Sequence, residues 1–281
     1  MKKVLALVLC LSLLLSLAAC GSPVEADEVQ TVHSGKLTVA FSPDFAPMEF
    51  VDLTKEGQDM YVGFDVSLAK FVAENLHLQL VLVPMSFEAC QTAVANGSVD
   101  LSISGFSWSD EREHNFNLSD YYYAGDNEDA QVLITLAENA GRFASAGDLV
   151  GARIGAQKSS IQRDLTVDQL TDSELIQFTN LDDAVNLLLQ GEFDCIAVAD
   201  GNADAIIASH PEIIKSGFRF EITEKQIGNI ILLRKGSDEL TELVNNILKK
   251  AEMYYETWYA DARATAGIET SYDDDGNPIT D

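Results

Sequence analysis

The sequence predicts an α/β protein, and three observations support this class. Short runs of β-branched and apolar residues alternate with stretches whose apolar residues recur at helical spacing. The chain has 281 residues, enough for two lobes of ordinary domain size. Neither a Pro/Gly-rich linker nor an internal repeat divides it, so two lobes would have to share crossing strands rather than a flexible tether.

The first set of elements predicts one sheet with a helix between its first two strands. Strands are predicted at residues 37–41, 80–83 and 101–103. The helix between the first two is indicated by apolar residues at helical spacing, which are Leu68, Phe71, Val72 and Leu76. Alternation of this kind is typical of an α/β sheet.

A second set of elements predicts a separate sheet. Its strands are expected at residues 153–156, 175–178 and 195–198, with a helix at 181–188 between the last two. One more strand is expected at 229–233. A long helix should follow, with Ser237 as its N-cap and acidic residues in its first turn.

The amino terminus predicts export. Lys2 and Lys3 precede an uncharged apolar stretch that is too short for a membrane span, so residues 1–19 are interpreted as a signal peptide. The sequence Leu-Ala-Ala-Cys at its end resembles a bacterial lipobox, which implies cleavage before Cys20 and acylation of its thiol. Residues 20–35 would then be a lipidated tether, with the protein on the extracellular face of the cell membrane, as in a Gram-positive bacterium.

Charge and cysteine content exclude several classes of function. The formal charge of −27 becomes −29 once the two signal-peptide lysines are removed, which disfavours nucleic acid as a partner. Cys90 and Cys195 lie in apolar sequence, where small buried thiols are favoured over a disulfide. The histidines are scattered singly, so we predict neither a structural metal nor a cofactor.

Residues 104–112 (SGFSWSDER) place one fixed cation beside a turn of small residues rich in hydrogen-bond donors. The guanidinium of Arg112 stays protonated and offers a planar fork of donors that matches a carboxylate. Ser107 and the backbone N–H of Gly105 can complete a cradle. We therefore predict a carboxylate site at Arg112.

Four motifs in order resemble one family: residues 42–50 (SPDFAPMEF), 62–70 (VGFDVSLAK), 104–122 and 155–160 (GAQKSS). They resemble those of extracytoplasmic solute-binding proteins of ABC importers, in the polar amino acid branch. The resemblance implies a two-lobed periplasmic-binding-protein-like fold of type II, with a ligand cleft between lobes joined by two crossings. Lobe one would be 36–130 plus 225–268, lobe two 131–224, and 269–281 an acidic tail.

The resemblance also implies a site for a free amino acid. Arg112, Ser107 and a backbone contact from Gly105 would hold its carboxylate from lobe one. Ser160 would add contacts from its hydroxyl and its N–H in lobe two, at the start of a helix whose free amides favour an anion. Ser159 stands where glycine is common in the family, so this half of the carboxylate site is more restricted.

Four further residues are candidates for the rest of the ligand. Asp200 follows a strand where the family places the aspartate that binds the ammonium, although its spacing from Asp194 is one residue longer than usual, and it could instead be a helix N-cap. Phe45 and Phe87 would be aromatic walls, or else core residues. Asp44 could meet a cationic side chain, but polar neutral ligands and cystine remain open.

The function implied is capture of an amino acid by cleft closure and delivery to the permease subunits of an ABC transporter, by a protein expected to be a monomer. No catalytic residue is predicted, because no hydrolase motif occurs. Two alternatives stay open: a cyclohexadienyl or arogenate dehydratase-like enzyme on the same fold, using Asp44, Glu49 and Arg112, or a ligand-sensing subunit of a membrane receptor.

Overall fold

The computed structural model describes residues 29–123, 125 and 130–268. The predicted signal peptide, the Cys20 acylation site and the acidic tail lie outside the described residues. The described residues from Thr31 to Ile268 belong to one compact unit. Within the described part, no helix combines the length and the apolar character that crossing a membrane requires.

The strands alternate with helices as the sequence pattern predicts. The strands are β1 (Lys36–Phe41), β2 (Asp44–Phe45), β3 (Glu49–Val51), β4 (Tyr61–Val62), β5 (Gln79–Pro84), β6 (Leu101–Phe106), β7 (Phe116–Leu118), β8 (Gln131–Leu136), β9 (Arg153–Gln157), β10 (Glu174–Phe178), β11 (Cys195–Ala199), β12 (Ile213–Phe220) and β13 (Ile230–Arg234). The helices are α1 (Phe64–Asn75), α2 (Phe87–Asn96), α3 (Asp110–Asn115), α4 (Ile161–Gln169), α5 (Leu181–Leu189), α6 (Asp200–Ser209), α7 (Asp238–Ala251) and α8 (Tyr255–Thr265).

Lobe one is built on a sheet with the strand order β5-β1-β6-β13-β7. Strand β1 pairs in parallel with β5 and β6, whereas β13 pairs antiparallel with β6 and β7. Helix α2 packs on this sheet through Cys90 and Val94, and Gly97 ends the helix in the left-handed conformation. A small antiparallel ribbon of β2, β3 and β4 carries Asp44 and Phe45.

Lobe two has a sheet of the same design, with the order β10-β9-β11-β8-β12. Strands β9, β10 and β11 are parallel, and β8 runs antiparallel to β11 and β12. Each face of this sheet is covered by its own apolar cluster. Helices α4 and α5 begin directly after β9 and β10, so their amino termini lie at the carboxyl ends of parallel strands, where α/β proteins bind ligands.

The chain passes between the sheets twice, after β7 and after β12. The two passages pair with each other, because Tyr122 and Asn229 exchange both backbone hydrogen bonds, at 2.8 and 3.1 Å. This division of the strands gives the predicted two-lobed fold with two crossings. The exact lobe boundaries at 130/131 and 224/225 stay a prediction.

The structure agrees with most of the local predictions. The predicted strands are present within one residue of their expected ends, except that β6 continues three residues further, to Phe106. Cys90 and Cys195 are buried free thiols, as expected. The long helix α7 begins at Asp238 with Ser237 at the N-cap position, as expected, but the Ser237 side chain forms no capping hydrogen bond.

Candidate functional site

A small cavity of about 20 Å³ lies in the cleft. Its walls come from both lobes: Asp44, Phe45, Phe87, Ser104, Gly105, Ser107 and Arg112 from lobe one, and Gln157, Ser160, Ile161 and Gln162 from lobe two. A larger and more open depression at Trp108 and Lys225 lies elsewhere on lobe one.

Arg112 is the buried cation of this cavity. Ser109 caps helix α3 by accepting a hydrogen bond from the Arg112 N–H, which fixes the start of the side chain. The guanidinium carbon lies 5.6 Å from the Phe87 ring centroid and 5.3 Å from that of Phe106, so two aromatic faces support the charge. Only 4% of the residue is exposed. Burial lowers the pKa of Arg112 to about 10, which leaves it protonated at neutral pH.

The guanidinium has hydrogen bonds but no ion pair within the described residues. It donates to the carbonyl oxygens of Ser107 and Ser159 and, at 3.5 Å, to Gln91 Oε1. A guanidinium has five N–H groups, so one N–H on each terminal nitrogen is left for a further acceptor. A buried cation with two free donors and no counter-ion is the chemistry that a carboxylate completes.

Ser160 is the N-cap of α4, which brings lobe two to the same cavity. Its Oγ accepts from the Arg163 N–H at 3.2 Å, and this leaves its own O–H able to donate. The Ser160 N–H, expected to meet a ligand, donates instead to Gln157 O at 3.3 Å. The first amides of α4 have no partner within the helix and favour an anion there.

The Gly105 N–H, which we predicted to contact the ligand, already has a partner within the protein. It donates to Asp65 Oδ2 at 2.8 Å, so only the remainder of the residue lines the cavity. Gly105 has φ +54°, and a Cβ there would come 2.8 Å from the Phe45 ring. Glycine is therefore required where the chain passes beneath Phe45. Phe45 lines the cavity, and Phe87 both lines it and packs on Arg112.

Asp44 lines the cavity, but its oxygens are bonded to protein. Oδ1 accepts from Ser42 Oγ at 2.7 Å, and Oδ2 accepts from the Leu181 N–H at 2.8 Å and Gln157 Nε2 at 3.2 Å. Burial raises the pKa of Asp44, while these hydrogen bonds oppose the rise. Two of the three donors belong to lobe two.

The structure does not bring Asp200 to the ligand cavity. Its carboxylate pairs with Lys215 at 2.9 Å and approaches Arg219 at 3.6 Å, and Lys215 also pairs with Asp204 at 2.7 Å. Asp200 is the first residue of α6 rather than its N-cap, which is Ala199. Two nearby cations thus already neutralise the candidate ammonium partner.

Behind the cavity wall, Glu49 and Asp65 form a buried acidic pair. Ser104 Oγ donates to Glu49, and Tyr122 Oη donates to Asp65 Oδ2 at 2.9 Å. Burial, followed by the charge of Asp65, raises the pKa of Glu49 well above its usual range. Burial also raises the pKa of Asp65 to about 6. No Lys, Arg or His side chain among the described residues pairs with either carboxyl group, so burial and their mutual repulsion favour keeping a proton on the pair.

Sequence reasoning missed several residues of the site. Gln157 and Ser104 stood inside motifs already singled out, but their side chains were assigned no role. Phe106 gave no separate signal, because an apolar residue in a strand indicates only a core position. The Ser159 carbonyl reaches Arg112 because Ser159 adopts φ +60°, a left-handed conformation that is uncommon for serine.

Comparison with known proteins adds independent findings. The family described as bacterial extracellular solute-binding proteins, family 3, matches residues 37–260. The chain is 32% identical to the arginine-binding extracellular protein ArtP of Bacillus subtilis, over 90% of this chain and 93% of that protein. It is 25% identical to a probable histidine-binding protein of Campylobacter jejuni, over 77% and 85% of the two chains.

Solved structures of amino acid-binding proteins are also similar to this chain. The amino acid ABC transporter substrate-binding protein AbpA of Streptococcus pneumoniae, bound to L-arginine, superposes with a TM-score of 0.76 at 32% identity, over 84% of this chain and 97% of that one. A shorter similarity links the chain to an enzyme. Cyclohexadienyl dehydratase of Pseudomonas aeruginosa is 34% identical over 48% of this chain and 46% of the enzyme.

Proposed function

Because the chain belongs to family 3 of the bacterial extracellular solute-binding proteins, we propose that it captures a free amino acid in the cleft by binding the ligand carboxylate at Arg112. The observation that carries this proposal is the buried, unpaired guanidinium with two free N–H donors on the cavity wall. Ser107 and Ser160 would add hydroxyl donors. Hydrogen bonds to a charged group are about twice as strong as neutral ones.

Cleft closure follows from the placement of these groups. The charged group is on lobe one, whereas Ser160 and the amino terminus of α4 are on lobe two. A bound carboxylate can contact both sets only when the lobes are together, so the ligand stabilises the closed state by its differential contacts.

We propose an amino acid with a cationic side chain as the ligand. The two relatives described above are named for arginine and histidine, and AbpA was crystallised with L-arginine. In this chain, Asp44 is the acidic residue of the cavity wall, and Phe45 offers an aromatic face on which a planar cation can stack. The strongly acidic protein would also steer cations toward the cleft.

The cellular setting is also part of the proposal. Acylation at Cys20 would hold the protein on the extracellular face of the cell membrane, and the closed, loaded form would deliver its ligand to ABC permease subunits as a monomer. Radiolabelled palmitate incorporation that disappears in Cys20→Ala would support the anchor, whereas label retained in that variant would contradict it.

A thermal-shift panel of the twenty amino acids, ornithine, citrulline and cystine tests the proposed ligand class. A ligand at 100 times its Kd stabilises the folded state by about 2.7 kcal/mol, so the true ligand stands out. We expect arginine or another cationic amino acid to give the largest shift. A larger shift with a neutral amino acid would contradict the ligand class, and no shift with any compound would contradict amino acid capture.

The dehydratase similarity favours one enzymatic alternative, but the site supports it poorly. Glu49, one of its candidate acids, is fully buried, hydrogen-bonded to Ser104 and absent from the cavity wall. Asp44, the other, already accepts three hydrogen bonds from protein groups. Incubation with prephenate or arogenate should therefore give no product by chromatography, and turnover would make the enzyme the better description.

A further inference from the structure

We infer that Asp44 is a closure residue: lobe two binds this lobe-one carboxylate as an internal anion, through the amino terminus of α5, and thereby holds the cleft shut even before a ligand arrives. The inference deepens the proposed function, because it concerns the same cleft. It does not depend on which ligand binds.

The shortest hydrogen bond from lobe two to Asp44 comes from the start of helix α5. Asp44 Oδ2 accepts from the N–H of Leu181, the first residue of α5, at 2.8 Å. That N–H belongs to the first turn, where amides have no partner within a helix and the dipole favours negative charge. The Asn180 side chain caps a different amide, that of Asp183. The Asp44 carboxylate therefore accepts a hydrogen bond from an N–H that the Asn180 side chain, at the N-cap of α5, does not bind.

A second donor from lobe two completes the arrangement. Gln157 Nε2 lies 3.2 Å from Asp44 Oδ2 and 3.2 Å from Thr179 O, so it links the carboxylate to the loop that precedes α5. Ser42 holds the other carboxylate oxygen from lobe one. Asp44 is 7% exposed, so water competes little for these bonds.

Neighbouring contacts show that the Asp44 bond is part of a seam of contacts between the lobes. Asn202 Nδ2 donates to Ala46 O at 3.0 Å, two residues after Asp44 along the chain. On the far side of the cavity, Gln91 Nε2 and Arg112 both donate to Ser159 O. Of these cross-lobe contacts, those of Asp44 and Arg112 involve a charged group, and Asp44 has two lobe-two partners where Arg112 has one, so we expect Asp44 to contribute most to closure.

Amide hydrogen exchange on the ligand-free protein tests this role without assuming any ligand. In Asp44→Ala, we expect the Leu181 amide to exchange roughly ten- to a hundredfold faster, the factor for losing one charge-assisted hydrogen bond. Small-angle X-ray scattering should also show a larger radius of gyration than in the parent protein. The matched control is Asp183→Ala, which removes an exposed charge from the same first turn and should change neither quantity.

Asp44→Asn is a second variant that controls for misfolding of the alanine variant, because asparagine keeps the shape of the side chain and one oxygen that can accept a hydrogen bond. It should give an intermediate exchange rate at an unchanged circular dichroism spectrum. Leu181 exchange and a radius of gyration in Asp44→Ala equal to those of the parent would overturn the closure role. Failure of the amino acid panel, with these two changes present, would overturn the proposed ligand and leave the closure role standing.

Discussion

Replacing Glu49 by Gln should remove most of the loss of stability that the protein suffers as pH rises above 6. The parent buries Glu49 and Asp65 close together, at 0% and 1% exposure, and no described Lys, Arg or His pairs with them. Burial and the charge of Asp65 raise the pKa of Glu49 well above its usual range, so the folded pair holds a proton to higher pH than the unfolded chain does. A glutamine amide supplies that hydrogen permanently and leaves Asp65 ionised.

The direction in which stability changes with pH follows from the number of protons that the folded and unfolded states bind. Unfolded Glu and Asp release their protons near pH 4, whereas the folded pair retains them to higher pH, so the folded state holds more protons and stability falls as pH rises. The Asp65 pKa of about 6 corresponds to a loss of about 3 kcal/mol between pH 4 and 6. The proton held by Glu49 then continues the loss, at most about 1.4 kcal/mol per pH unit above pH 6.

Urea unfolding at half-unit steps from pH 5 to 8 measures this directly. The difference in unfolding free energy between Glu49→Gln and the parent should grow with pH in favour of the variant, by at most about 1.4 kcal/mol per pH unit. Glu56→Gln, which removes the same charge from an exposed position, should show no such trend. Parallel pH profiles for Glu49→Gln and the parent would refute the shared proton.

Three further predictions concern the ligand site. Arg112→Ala should weaken arginine binding by roughly 30-fold to several thousand-fold (2–5 kcal/mol) in calorimetry, because the ligand carboxylate loses its buried partner, and Arg112→Lys should recover only part; an affinity within threefold of the parent would be inconsistent with the proposed site. Gly105→Ala should also weaken binding, since its Cβ would displace the Phe45 ring, and a titration like that of the parent would contradict this. Asp200→Asn should leave arginine affinity within about threefold of the parent but lower the Tm, because it breaks the contact with Lys215; a tenfold loss of affinity would restore Asp200 as a ligand residue.

The two-lobed fold and the position of the cavity could be predicted because their signals are local. Periodicity locates strands and helices, and the family motifs place Arg112, Ser107 and Ser160 at strand ends or helix starts. These three residues, with Phe45, Phe87 and Asp44, do line one cavity. That agreement concerns position only; their contacts with a ligand stay predictions.

The partners of these residues could not be predicted, because the partners are distant in sequence. The bond from the Leu181 N–H to Asp44 spans 137 residues, and that from the Gly105 N–H to Asp65 spans 40. Which donor a carboxylate receives depends on how two sheets dock, and no local pattern encodes it. The one-residue shift before Asp200 did signal a departure, but only the position of Lys215 on β12 shows what replaced the expected contact.

The division of charge between the lobes determines the order of events in capture. Lobe one supplies both charged groups of the cavity wall, Arg112 and Asp44, whereas the lining residues from lobe two are uncharged and offer hydroxyl, amide and helix-terminus donors. Charge attracts over a Debye length of about 8 Å at physiological salt, but hydrogen bonds act only at contact. In the proposed capture, opening of the cleft exposes Arg112, and the ligand carboxylate is drawn to it first. Lobe two then adds its neutral donors on closing, and because those bonds depend on geometry, we expect lobe two to select the ligand by shape and lobe one to select it by charge.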